Sequence, residues 1–284
     1  MEKVTGIVGL GLLFGLPTTA RAENRDYVRF NDRSITYDLS STFDSYAYDQ
    51  RYVELDELAE KLELGLISEN DYDVAYEAIY QKWEEKMDFT QQFGLFTPEF
   101  LTSMERFSGG FDDNYTSFNG LEVAVNLKSF VGEEGNTKDI RPLRKLTKLE
   151  ELNIEITNQL NLYDLKNAQN LKDLRLYTRG YGNEEEEAEE QLHTQALLTD
   201  ISALSELNQL EHIMISSEGI MPTITLKRGT TFYELYDPIV PSDQFQDAEM
   251  SYSSQDEGGT SLMESNERLK WHNLTGQEEF LSFS

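Results

Sequence analysis

Cysteine is absent from all 284 residues, so no disulfide cross-links this chain and no thiolate can bind a metal. Histidine is nearly absent: His193, His212 and His272 have no ligand spacing among them. Basic residues are few, 24 Lys and Arg against 53 Asp and Glu, which leaves a formal net charge of −29. That balance excludes a nucleic-acid ligand, whose phosphates need a basic surface, and an anionic membrane surface held by electrostatics. No apolar run is long enough to span a bilayer, which takes about 20 helical residues. The longest, Val4 to Leu16, has 13. With 38% hydrophobic and 11% aromatic residues, the composition is nonetheless that of a globular protein.

The short apolar run has the form of an export signal. Met1-Glu2-Lys3 is a polar start, and Ala20-Arg21-Ala22 fits a small-x-small cleavage site. Residues 1–22 are therefore expected to be removed, leaving no transmembrane segment; Glu2 weakens the positive start, so an uncleaved anchor is the alternative. An exported protein without cysteine has to be stabilised by burial alone, which fits a bacterial secreted or surface protein.

What the sequence does have is one apolar pattern that returns every 22 residues. It reads Phe118, Leu121, Ala124, Leu127 and Phe130, then Ile140, Leu143, Leu146, Leu149, Leu152 and Ile154. It continues at Leu162, Leu165, Ala168, Leu171, Leu174 and Leu176. A fourth copy, Ile201, Leu204, Leu207, Leu210, Ile213 and Ile215, starts 39 residues after the third, one period plus a 17-residue insertion. Spacing by three suits a short helical or 3₁₀ turn with one buried stripe, and spacing by two suits a strand with one inward face. Six buried side chains do not offset the entropy of ordering a whole unit, so a unit folds only when stacked on its neighbours. The expected fold is an α/β solenoid: a short leucine-rich-repeat horseshoe over residues 118–219, with the insertion at about 178–195.

Upstream, residues 23–52 are polar and weakly patterned and read as irregular, with one strand near Ser34 to Leu39. Residues 53–117 read as helical. Leu55, Leu58, Leu62 and Leu66 line a first helix that ends near Gly65, and Ser68 with Asp71 starts a second bearing Tyr72, Tyr76, Ile79, Trp83 and Met87. Thr97-Pro98 starts a short third helix with Phe100, Leu101 and Met104, ended by Gly109-Gly110. This block is placed to cap the bare apolar end of the first repeat, an independent helical domain being the alternative. Both tryptophans, Trp83 and Trp271, read as core residues. Beyond Gly219 the period stops. Thr223 to Leu226, Phe232 to Tyr236, Glu249 to Ser253, Arg268 to Trp271 and Phe280 to Phe283 read as short strands of an all-β sandwich over residues 220–284. The last run stops with the chain, so this module reads as incomplete.

Thr199-Asp200-Ile201-Ser202-Ala203-Leu204 and Leu171-Lys172-Asp173-Leu174-Arg175-Leu176, set in 22-residue units, resemble the internalin-like leucine-rich-repeat surface proteins of Gram-positive bacteria. The segment from Phe118 to Leu127 looks like that family's first repeat. Arg228-Gly229-Thr230-Thr231-Phe232, with Leu269-Lys270-Trp271-His272-Asn273-Leu274-Thr275-Gly276, is similar to the immunoglobulin-like module that follows the repeats there. The resemblance implies export, a curved repeat domain that binds a protein or a glycan, and attachment to the cell wall. This chain departs from the pattern in three ways. It has about four repeats, it lacks the asparagine expected three residues past each strand (Thr157, Arg179 and Glu218 stand there), and it shows no wall-sorting sequence.

Outward strand positions should stack into columns on the concave side, because alternate residues point away from the core. Repeat alignment gives Ser129, Glu151, Asp173 and His212, then Val131, Asn153, Arg175 and Met214, then Glu133, Glu155, Tyr177 and Ser216. Binding surfaces favour Trp, Tyr and Arg. Arg175 and Tyr177 therefore lead a candidate set that includes Glu151, Asn153, Glu155, Asp173, His212 and Met214. The bland reading of each is an ordinary solvated strand position. The acidic run Glu184 to Glu187 with Glu189 and Glu190 reads as a solvated loop, with a cation or basic-partner contact as the alternative. Nothing resembles a nucleophile elbow, a zinc helix or a phosphate loop. Asp112-Asp113-Asn114 and Glu69-Asn70-Asp71 lack the central glycine and terminal glutamate of a calcium loop. The expectation is a cofactor-free, metal-free binding protein, not an enzyme, secreted or held at the cell surface. A spacer that presents another module and a secreted hydrolase are the alternatives.

Overall fold

The structure, a computed structural model, describes residues 27–109, 115–137, 139–156, 162–178, 198–217, 219, 221–245, 262–264, 268–277 and 281. The export signal, the acidic insertion, the triplet at 112–114, Thr157, Arg179, Glu218 and the run from Glu249 to Ser253 lie outside these residues, as does most of the run at 280–283.

Asp32 begins the first helix, its carboxylate accepting the Ile35 N–H at 2.9 Å as an N-cap does. Helix α1 spans Arg33–Glu63 and α2 Glu69–Phe93. The Ser68 hydroxyl caps α2 by accepting the Asp71 N–H at 3.2 Å, and Gly94, at φ 59°, ends it in the left-handed conformation. α1 corrects the expectation of an irregular stretch over residues 23–52 with a strand at Ser34 to Leu39. The stripe that builds it is Ile35, Leu39, Phe43, Ala47 and Arg51, all buried and four residues apart. One small residue and one arginine interrupt the apolar signal, among Ser, Thr and Tyr of modest helix propensity. Of the leucines read as the first helix's stripe, only Leu58 is buried, and Leu66 lies exposed beyond the helix end.

Strand β1 (Val28–Arg29) pairs antiparallel with β2 (Leu95–Phe96) at the hairpin base. α3 (Pro98–Ser103) follows, with the Thr97 hydroxyl accepting the Phe100 N–H at 3.3 Å. It ends at Ser103, not at Gly109-Gly110, because the chain turns there into a strand that the apolar pattern does not reveal. That strand, β3 (Arg106–Ser108), has a single inward residue, Phe107, and so no period.

β3 is the first of five parallel strands in spatial order β3-β4-β5-β6-β7, the others being Ser129–Thr137, Glu151–Ile156, Asp173–Thr178 and His212–Ser217. Each of β4 to β7 is preceded by a 3₁₀ turn, at Leu121–Val123, Arg141–Lys145, Leu162–Leu165 and Ser202–Glu206. Phe130 faces Leu152, Leu152 faces Leu174 and Leu174 faces Ile213, so the sequence period is the strand register. Every apolar position of the first three repeats is buried. In the fourth, Leu204 and Leu207 are buried while Ile201, Leu210, Ile213 and Ile215 are only partly so.

The helices share this core. Phe43, Met87, Phe96 and Phe100 join Phe107, Phe118 and Phe130 in one cluster, with edge-to-face ring pairs at Phe43–Phe100 (5.1 Å) and Phe118–Phe130 (5.0 Å). Tyr115 is buried over Gly109 and Gly132, where an added Cβ would meet its hydroxyl oxygen at 1.6 Å and its ring at 2.8 Å. Its hydroxyl donates to Asp38. The second Asp32 oxygen accepts both the N–H and the hydroxyl of Thr116, each at 2.6 Å, which ties the α1 cap to the chain entering the first repeat.

Neighbouring rungs are stitched at strand entry by carbonyls that each accept two N–H groups from the next rung. Glu105 accepts from Lys128 and Ser129, Lys128 from Glu150 and Glu151, Glu150 from Lys172 and Asp173, and Lys172 from Glu211 and His212. The side chains of this column alternate in sign, with Lys128–Glu105 at 2.9 Å and Lys172–Glu150 at 2.7 Å. Asn126 and Asn170 donate to the Thr102 and Thr147 carbonyls of the preceding rung at 2.7 and 2.9 Å.

Past β7, residues 223–226 form no strand and are exposed. β8 (Phe232–Tyr236), β9 (Leu262–Glu264) and β10 (Arg268–His272) form an antiparallel sheet in order β8-β10-β9, burying Leu269 and Trp271 against Tyr233 and Leu235. Strands of a second layer are not among the described residues. The loop after β8 returns to the repeats. Val240 bridges Asp200 in parallel, and the Gln244 amide donates to the Leu204 and Leu207 carbonyls at 2.9 and 3.3 Å. No described helix is long and apolar enough to cross a membrane.

Two predictions follow from this packing. Leu174→Ala, between two rungs, should cost about 2–5 kcal/mol, and Ile213→Ala clearly less, in chemical denaturation; equal losses would contradict the burial gradient. The second concerns Asp139 and Asp200, which begin equivalent turns. Hydrogen bonds from the Arg141 side chain to Asp139 and from the Ser202 hydroxyl to Asp200, each joined by a backbone N–H, hold both carboxyls below their usual range. A depressed native carboxyl stabilises fully above the unfolded value of about 4, and the gain is lost as pH falls through the lower native value. Asp139→Ala/Asp200→Ala should therefore be less stable than the parent at about pH 6 and nearly equal to it at about pH 2. A gap that stayed constant with pH would exclude the carboxylates as its cause.

Candidate functional site

Strand register assembles the expected columns. Ser129, Glu151, Asp173 and His212 face one another across β4 to β7, as do Val131, Asn153, Arg175 and Met214. Tyr177 stands between Glu155 and Ser216. The alternation of strand side chains puts these positions on the side of the sheet away from the leucines.

Contacts divide this face into two zones. Toward β4 it is polar and acidic, with the Ser129 hydroxyl donating to Glu151 at 2.7 Å. Arg175 donates through Nε and a terminal nitrogen to the two Asp173 oxygens, both at 3.1 Å. This fork pins the guanidinium along its own strand, and the hydrogen bond to Asp173 holds its pKa above the ordinary arginine value. Toward β7 the outward strand positions hold no carboxylate. The Tyr177 hydroxyl lies 3.6 Å from the Met214 sulfur, Met214 is 53% exposed, and His212 and Ser216 are exposed beside it.

Glu155 departs from expectation and is corrected here: it is 3% exposed and presents no surface to a partner. The reason is a bulge in β4, whose register steps from Gly132 opposite Ile154 to Thr137 opposite Ile156. Four residues of β4 thus stand where one would, opposite Glu155. Gly132 within the apolar strand pattern was the one sequence signal of this bulge, since glycine in a strand interior often marks one. Beside it, the Asn153 side-chain oxygen is buried without a hydrogen-bond partner, an arrangement that disfavours the site unless something donates to it. The alternating column of Glu105, Lys128, Glu150, Lys172 and Glu211 borders the face at strand entry, and column alignment at the strand positions alone did not include it.

Among the described residues, no three His, Asp or Glu side chains are grouped to hold a metal ion. Trp83 and Trp271 are core residues, 5% and 1% exposed. The arrangement presents hydrogen-bonding groups and an apolar patch on a rigid sheet, which suits recognition.

No protein family matches this chain, and no curated protein does. Among solved structures, an internalin from Listeria monocytogenes is 24% identical, covering 43% of this chain and 37% of its own, with a TM-score of 0.29. An internalin C2 from the same organism is 23% identical over 43% of this chain and 55% of its own, with a TM-score of 0.30. A structure of CBM51-2 with GlcNAc and INT domains from Clostridium perfringens ZmpB is 13% identical over 83% of this chain and 44% of its own, with a TM-score of 0.22. The chain thus spans about a third to a half of the length of these proteins. At such TM-scores the fold rests on the register and turn pattern above, not on these likenesses.

The exposed residues of the face should be dispensable for folding. Arg175→Ala and Met214→Ala are each expected to change unfolding free energy by no more than about 0.5 kcal/mol. A larger loss in denaturant titration would make them structural.

Proposed function

We propose that this chain is an exported bacterial leucine-rich-repeat protein that acts by binding a protein or glycan at the cell surface, without catalysis. In this reading the parallel strands line the concave side of a short horseshoe, the helices cap its first rung, and β8 to β10 belong to an immunoglobulin-like module. The supporting observation is the pairing of Tyr177 and Met214 beside the pinned Arg175 on one exposed face. Aromatic, methionine and arginine side chains are the types enriched at binding surfaces, and a strand lattice presents them with little entropy left to lose.

The test is saturable binding of the labelled full chain to cultured animal cells and to purified wall glycans, read by flow cytometry and by pull-down. Arg175→Glu combined with Tyr177→Ala should weaken binding by at least about tenfold, or about 1.4 kcal/mol, with an unchanged circular dichroism spectrum. Undiminished binding by that variant would overturn the assignment of this face.

A further inference from the structure

The α1–α2 hairpin has two unlike halves. Its base is interior, with Ile35, Leu39, Phe43 and Ala47 of α1 buried alongside Trp83, Met87 and Thr90 of α2. Past Arg51 the one buried α1 side chain is Leu58, and ahead of Trp83 α2 has none. Arg51 itself marks the boundary. Its guanidinium lies 4.6 and 4.3 Å from the ring centroids of Tyr48 and Tyr80 and bonds Glu84 at 2.9 Å, so it clamps the helices together where the core ends.

Beyond the clamp, residues 52–80 expose Tyr52, Val53, Leu64, Leu66, Val74 and Tyr76, with Leu64, Leu66 and Val74 each more than 60% accessible. Scattered single apolar residues need no explanation, but several on one short projecting hairpin mark an association site. On α2, Ile79, Trp83 and Met87 share the side packed against the core, which puts Val74 and Ala78 on the opposite face. There Val74 and Ala78 form an open apolar strip on one helix face, beside Asp73, Glu77 and Gln81.

Charge decides what fits. Residues 52–80 contain nine acidic side chains and one basic side chain, Lys61. A second copy would set nine acidic groups against nine, and an anionic lipid surface would be repelled likewise. A helix with an apolar stripe between rows of lysine or arginine matches both the exposed apolar side chains and the acidic residues among them. We propose that the tip of the α1–α2 hairpin docks a cationic amphipathic helix of a partner protein. This surface is separate from the sheet face, and neither assignment depends on the other.

Fluorescence anisotropy with the full chain tests it, using a labelled lysine–leucine amphipathic peptide of about 18 residues, five helical turns. The control is a peptide of the same composition in scrambled order, which keeps the charge and loses the stripe. The amphipathic peptide should bind at least about tenfold more tightly than the scrambled one. Leu64→Ser/Leu66→Ser/Val74→Ser keeps every acidic residue and should lower that affinity at least about tenfold, with helix content unchanged by circular dichroism. Equal binding of the two peptides, or full binding by the triple variant, would reduce the contact to general charge attraction and overturn the proposal. So would a dimer in sedimentation that the triple variant abolishes, since the occupant would then be a second copy.

Discussion

Leu152, Ile154, Leu174 and Leu176 are wholly buried because a rung lies against each of their two sides. No rung can reach that state alone, since its few apolar side chains do not offset the entropy of ordering its backbone. The rest of the molecule is organised by how the two ends of this stack are closed. At the amino-terminal end, the closure is aromatic. Phe107 on β3 and Phe118 and Phe130 of the first repeat continue into Phe96 on β2 and Phe43 and Phe100 of the helices, with no break in the core. At the other end, the loop around Val240 and Gln244 covers the last 3₁₀ turn through main-chain and amide bonds, while Ile213 and Ile215 on β7 stay partly exposed. Local opening is accordingly cheapest at β7 and dearest in the middle of the sheet.

The amino-terminal junction is specific as well as apolar. Tyr115 occupies the space that side chains at Gly109 and Gly132 would need, and its hydroxyl reaches Asp38 on α1. Asp32 serves two masters, capping α1 with one oxygen and holding Thr116 with the other. A buried carboxylate with donors on both sides is costly to leave half-satisfied. The start of α1 and the entry to the repeats are therefore positioned together, and the hairpin base and the sheet should unfold as one cooperative unit.

The repeats were legible because their periodicity is redundant. The same spacing written several times survives an insertion, and in parallel strands it becomes the register, so the outward columns followed from alignment alone. Where a signal was written only once, it was lost. The buried stripe of α1 ends in Arg51, which no apolar count would select, and rests on the small Ala47 just before it. β3 offers a single inward side chain. β9 is three residues long, too short to show an alternation, although its partners on β10 lie only a few residues further along the chain. The burial of Glu155 depends on a bulge in the neighbouring strand, a property of two segments that neither shows by itself.

The column of Glu105, Lys128, Glu150, Lys172 and Glu211 gives the stack a parity. Each rung brings a sign opposite to that of the rungs beside it, so removing any one interior rung would set like charges side by side, Glu105 against Glu150 or Lys128 against Lys172. Losing or duplicating two consecutive rungs keeps the alternation intact. Each exposed contact is weak, and two of the four steps close as direct ion pairs. The rungs are therefore not interchangeable one by one, a distinction written in lysine and glutamate and invisible to the leucines.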